Sequence, residues 1–203
     1  ATKTNVLYNP ATLSPWGNFQ YGNCVTAEEA FAKACNSPEI FIPENTAIGW
    51  ASENGVLNGA YLNDVLSKMK DVGFRTNGTT YNDGKYSFVD FRNPSILQNA
   101  ITTGPVKIGL ASTQLGNAWN YFRRGWFALG FQPEQLTASN AHCASLCGYG
   151  TLSWLAQQFN VPLPIGVDGR KMGYAIFTWG SIGIIDDQSL LAITKEAWIR
   201  NPT

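Results

Sequence analysis

The sequence predicts an α+β fold, with helices in its first half and β-strands in its second. Three observations predict it. After Asn23, Cys24, Ala27, Phe31, Ala34 and Cys35 share one stripe at helical spacing. From Gly104 the period changes to two, with Val106, Ile108 and Leu110 alternating with Lys107 and Gly109. Twenty glycines and an aromatic content of 13% suit a β-rich segment with many turns. The 203 residues are expected to form one domain, 1–203, with a helical half at about 18–100 and a β half at about 101–203.

The elements follow in order. Residues 1–19 read as an extended lead-in, turned at Pro10, Pro15 and Gly17. Asn23 is placed to cap the helix that starts at Cys24, and Asn36 with Pro38 ends it. On that helix Glu28 falls at the edge of the buried stripe and Glu29 points to the opposite side. Residues 37–59, rich in Pro, Asn and Gly, read as loop. A second helix spans 60–72 and stops at Gly73, and 74–92 is polar with a turn at Asn82-Asp83-Gly84. Pro94 opens a third helix that ends near Thr102. Strand-like runs occupy 106–110, 142–149, 173–179 and 189–194. Between the second and third of these, Ser153 is placed to cap a short helix through Phe159, ended by Pro162 and Pro164. Its apolar residues Trp154, Leu155 and Phe159 are expected to cover the open end of the β half, away from any site at His142.

Composition narrows function. Hydrophobic residues make up 44% of the chain and charged residues 14%, so it can bury a sizeable core. Fourteen basic and fourteen acidic side chains cancel without a dense run of either sign, so neither nucleic acid nor an anionic membrane is an expected partner. No apolar stretch approaches the roughly 20 residues of a membrane helix. One histidine and scattered cysteines give no metal-ligand spacing, so no metal or other cofactor is expected. Four cysteines are too few for a disulfide framework. Cys143 and Cys147, about 13 Å apart on one strand face, are too far apart to pair. An Ala at position 1 fits a processed or trimmed chain, and the sequon Asn77-Gly78-Thr79 fits a secretory pathway. The expectation is a secreted or otherwise extracytoplasmic monomer.

Cys24 and His142 carry the chemistry. A cysteine at a helix N-terminus meets the positive end of the helix dipole and free N–H groups, which favour the nucleophilic thiolate. His142 is the lone histidine and begins a strand downstream; Cys35, Cys143 and Cys147 read as small buried apolar residues.

Four stretches resemble the papain-like cysteine peptidase family. They are Gln20-Tyr21-Gly22-Asn23-Cys24, Ala100 to Leu110 with its Gly-Pro-Val turn, Tyr121-Phe122-Arg123-Arg124-Gly125-Trp126-Phe127, and His142 to Gly150 ending in Gly-Tyr-Gly. A turn at Asp168-Gly169 then leads to Trp179-Gly180. The resemblance spans roughly 18–185 in the right order and implies a papain-like fold. In that fold a helical left half and a β-barrel-like right half enclose the active-site cleft. It implies hydrolysis of peptide bonds in a peptide or protein substrate by a thiol endopeptidase. Cys24 is then the nucleophile and His142 its base, with Gln20 and the Cys24 backbone N–H forming the oxyanion hole. The residue after the histidine, Cys143, would line the second specificity pocket, Asn58 and Gly59 would form the other wall, and Trp179 would shield the histidine.

Three departures stand beside the resemblance. Gln20 lies four residues before Cys24 rather than six, and Val25 follows Cys24 where the family has Trp. The asparagine that orients the histidine is missing. An ungapped match puts Phe177 there and a one-residue shift puts Thr178, of which only Thr can accept the ring N–H. The alternative reading is a weak or inactive papain-like pseudoenzyme that binds a peptide or protein partner. A third keeps the chemistry on a non-protein amide.

Overall fold

Central strands with apolar residues on both faces must be covered on both sides. A computed structural model describes residues 3–200. The elements run β1 (Val6–Leu7), α1 (Cys24–Ala34), α2 (Glu44–Glu53), α3 (Leu62–Asp71), β2 (Phe74–Thr76), β3 (Thr79–Tyr81), β4 (Tyr86–Phe88), α4 (Pro94–Ile101) and β5 (Val106–Ala111). They continue with α5 (Thr113–Ala118), β6 (Trp126–Ala128), β7 (Ala141–Thr151), α6 (Leu152–Gln158), β8 (Met172–Thr178), β9 (Ser181–Asp186), α7 (Asp187–Ile193) and β10 (Thr194–Arg200). The main sheet has the order β4-β10-β5-β7-β8-β9-β6, and β1 also pairs with β7. The β half is therefore an open sheet rather than a closed barrel: β4 and β6 end it without pairing with each other.

Strand alternation sorts the core into two clusters. Cys143, Cys147, Ala175 and Phe177 join the cluster of α1, α2 and α6, where Phe177 stacks on Phe31 at 3.9 Å. Ala144, Leu146, Tyr174 and Ile176 join the other, with α4 and α7. In α6, Leu152, Leu155 and Ala156 are buried in the first cluster. Thr151, not Ser153, caps this helix, accepting from the N–H of Trp154 at 3.1 Å.

The central helix differs most from expectation. Val25 through Ala34 are all buried, so α1 has no solvent face, and Glu29 is fully buried rather than outward. A chain of charges compensates. Lys107, the second residue of β5, reaches Glu29 and the Val25 carbonyl (3.0 Å). Arg200 binds the other Glu29 oxygen at 2.7 Å and lies 3.4 Å from Asp83, which in turn holds Lys33. Burial opposes ionisation of Glu29, but Arg200 and Lys107 prevail and hold it well below the usual carboxylate range. Burial and the Glu29 charge push Asp83 up to about 7. The network ties α1 to β5, the end of β10 and the irregular segment at 82–85, where the expected turn is not formed.

Other expectations fail for local reasons. Within 37–59, Pro43 lies just before an additional helix, α2. The polar segment 74–92 holds three short strands, two of them a hairpin turned at Asn77-Gly78, where both φ angles are positive. Residues 189–194 are mostly helix: Asp186 caps α7, accepting from the Ser189 N–H at 3.2 Å. Asn23 does not cap α1, because its amide donates to the Trp16 carbonyl at 2.8 Å.

Candidate active site

Cys24 is the first residue of α1 and is half-buried. With Asn23 turned away, no side chain satisfies the first-turn N–H groups, so the helix tip keeps donors for an anion beside the thiol. Burial nevertheless dominates and pushes the thiol up to about 11. The main-chain N–H groups of Cys143 and Val25 and the Lys107 charge pull it down, and Glu28 pushes it up. Glu28 lies one turn after Cys24 and is fully buried, and neither of its carboxyl oxygens has a hydrogen-bond partner among the described residues. Burial raises its pKa well above the usual range, leaving a neutral acid beneath the thiol.

His142 is the second residue of β7, opposite Leu110 of β5. Its Nε2 lies 2.6 Å from Thr178 Oγ1, so Nδ1 is the nitrogen free of that contact. Alternation decides which residue meets the ring: Phe177 faces the α1 core and Thr178 faces His142. Trp179 stacks on the imidazole, centroids 4.1 Å apart and planes 16° apart. It does so from a left-handed conformation (φ 45°) in a two-residue Trp-Gly turn closing β8 and β9. For a bulky residue that conformation costs about 1–2 kcal/mol, a local strain that sets the indole over the ring. Burial lowers the His142 pKa to about 3.

The remaining candidates divide. Asn58 and Gly59 are exposed, and their backbone lies against Gly22, where a Cβ would come within 3.3 Å of the Asn58 carbonyl carbon. Gln20 is exposed in the turn before the helix, its N–H donating to the Gly17 carbonyl at 3.0 Å. The Cys143 side chain is fully buried in the core; what it presents to Cys24 is its main chain. Asn140, near in sequence to His142, is committed elsewhere. Its amide donates to Glu134 (3.1 Å) and the Gln135 carbonyl (2.8 Å) and accepts from Thr137 (2.7 Å). Sequence reasoning missed Lys107, whose signal was a lysine inside an apolar strand, and Trp119, which donates from Nε1 to the Thr178 carbonyl at 3.2 Å. Among the described residues no cluster of His, Cys, Asp and Glu could hold a metal ion.

No protein-family model and no curated protein matches the sequence. Solved structures do. Digestive procathepsin L 3 of the Tenebrio molitor larval midgut superposes with a TM-score of 0.65 at 13% identity, over 99% of this chain and 70% of that one. A cysteine protease of Carica candamarcensis gives 0.66 at 13% identity over 99% of both chains. The fold is papain-like. Xylellain, a cysteine protease of Xylella fastidiosa, gives 0.63 at 13% identity over 100% of this chain and 87% of that one. This papain-like fold therefore covers the whole described length, with the sequence diverged almost everywhere. Among the described residues no helix is long and apolar enough to cross a membrane.

Proposed function

We propose that this protein is a thiol-dependent endopeptidase, acting on a peptide or protein substrate through Cys24 and His142. The observation that carries the reading is the tie between His142 Nε2 and Thr178 Oγ1 under Trp179, which leaves Nδ1 to serve as base. The Cys24 proton passes to Nδ1 as sulfur bonds to the scissile carbonyl carbon. The uncapped N-terminus of α1 donates its free N–H groups to the developing oxyanion, and Gln20 is assigned as the second donor. The protonated ring then gives that proton to the departing amine as the carbon–nitrogen bond breaks, and water hydrolyses the thioester. Asn58 and Gly59 form a wall along the substrate backbone, and Cys143 contributes main chain rather than side chain. No cofactor takes part. The protein works as an extracytoplasmic monomer, with neither nucleic acid nor membrane as partner.

The test is a fluorogenic peptide library with a thiol-reactive peptide mimic. The wild type should cleave and be labelled at Cys24, and Cys24→Ala should do neither while keeping its circular dichroism spectrum. Full activity in Cys24→Ala would remove the assignment. One observation favours a second reading, a peptide-binding pseudoenzyme: a thiol near 11 and a ring near 3 leave both groups neutral at pH 7. Binding of peptides without turnover or labelling would select it.

A further inference from the structure

Five aromatic rings continue outward from His142. Trp179 stacks on the imidazole; Trp119 meets Trp179 edge-on at 5.8 Å; Phe19 meets Trp119 at 5.8 Å and Tyr121 at 5.2 Å; Phe122 meets Tyr121 at 5.2 Å. Proteins bury such rings when they can. Here Phe19 is 52% exposed, Tyr121 40% and Phe122 94%. The turn that carries Phe19 also carries Trp16, which is fully buried with its indole bonded to the Ile42 carbonyl at 2.6 Å. Trp16 thus anchors the turn from within, and Phe19 is presented on the outside. Gly180 keeps the ladder close: a Cβ there would come within 3.1 Å of Tyr121 and 3.2 Å of Pro15. Beside Tyr121 and Phe122 lies a depression of about 420 Å³, with Gly180 and Arg124 in its wall.

The direction follows from the chemistry proposed above. The departing amine takes its proton from His142, and the ladder starts on that same ring with Trp179 and then Trp119. We infer that the protein selects an aromatic side chain on the leaving-group side of the scissile bond, seated against Phe19, Trp119 and Tyr121. This rests on the peptidase reading and narrows its substrate class. Edge-to-face geometry leaves ring faces and edges open to a further ring, which joins without rearranging those present.

Two peptides identical up to the scissile bond, with Phe or Ala in the first two positions beyond it, test this. Burying one ring and pairing it should favour the Phe peptide about 10- to 30-fold in kcat/KM. Phe19→Ala should bring the ratio toward one, while Phe88→Ala, an exposed ring on β4, should leave it unchanged. Equal rates for the two peptides in an enzyme that cleaves both would overturn the inference and spare the peptidase reading. Where neither peptide is cleaved, their Kd values for Cys24→Ala, read by tryptophan fluorescence, decide the ladder alone. Tenfold tighter binding of the Phe peptide supports it and equal Kd values overturn it.

Discussion

Replacing Lys107 with Met should destabilise the protein by about 3 kcal/mol, the lower end of the cost of breaking a buried ion pair. The lysine has no exposed side-chain surface and binds Glu29 and the Val25 carbonyl. Removing it strands one Glu29 oxygen in the core, while Arg200 still holds the other at 2.7 Å, which keeps the cost from reaching about 5 kcal/mol. A double replacement, Glu29→Met with Lys107→Met, removes both charges. It also removes the charge that helps hold Asp83 near 7, so Asp83 ionises and pairs with Arg200 and Lys33. The double variant should therefore be less destabilised than the sum of its singles, by about 2 kcal/mol. Urea unfolding at pH 7, followed by circular dichroism with an unchanged slope, measures both quantities. A Lys107→Met variant within about 1 kcal/mol of wild type, or strict additivity, would refute the view that this network is a coupled buried unit.

Three further outcomes are expected. Thr178→Ala removes one neutral hydrogen bond from His142 and should slow turnover about tenfold with little change in KM. Thr178→Asn supplies a fixed acceptor and should exceed Thr178→Ala; equal rates for the two would mean the 2.6 Å contact does not orient the ring. Iodoacetamide should alkylate Cys24 slowly at pH 5–8 and faster as pH rises toward about 11, because burial keeps the thiol protonated; a rate plateau established near pH 4 would reveal a preformed thiolate–imidazolium pair. Glu28 has a folded pKa above its unfolded value, so its contribution is complete at low pH and falls as pH rises past about 4.3. Glu28→Gln should then gain stability over wild type between pH 4 and pH 8, by up to about 1.4 kcal/mol per unit until the folded pKa is passed, and a pH-independent difference in Tm would disprove the burial of an ionisable acid there.

What the sequence made legible was what repeats or what punctuates. Cys24 at a helix start, the period-two run from Val106 and the His142 strand are local patterns, and all appear as elements of the structure. Thr178 was readable as a candidate because only it, and not Phe177, carries an oxygen. The buried charges were not readable. Helical phase places Glu29 opposite the apolar stripe, and that inference holds only for a helix with a solvent face. Here Lys107, 78 residues away, and Arg200, 171 residues away, supply the ion-pair partners that let the ionised carboxylate be buried. The helix at 187–193 was hidden differently: Leu190, Leu191 and Ile193 suit either period, and the cap at Asp186 outweighs them.

The chain laces its two halves together from both ends. β1 and β4, from the first hundred residues, pair with β7 and β10, while Arg200, near the far end, enters α1. A cut at the Thr103–Gly104 turn would leave Glu29 on one fragment and Lys107 and Arg200 on the other, so that Glu29 loses both its cations and Asp83 keeps only Lys33. It would also divide Cys24 from His142. The β4 edge is parted from β10, the β6 edge stays with the second fragment, and neither fragment holds a complete site, so the molecule behaves as a two-part lock. Whatever chemistry resides between the halves reports directly on whether they have found each other.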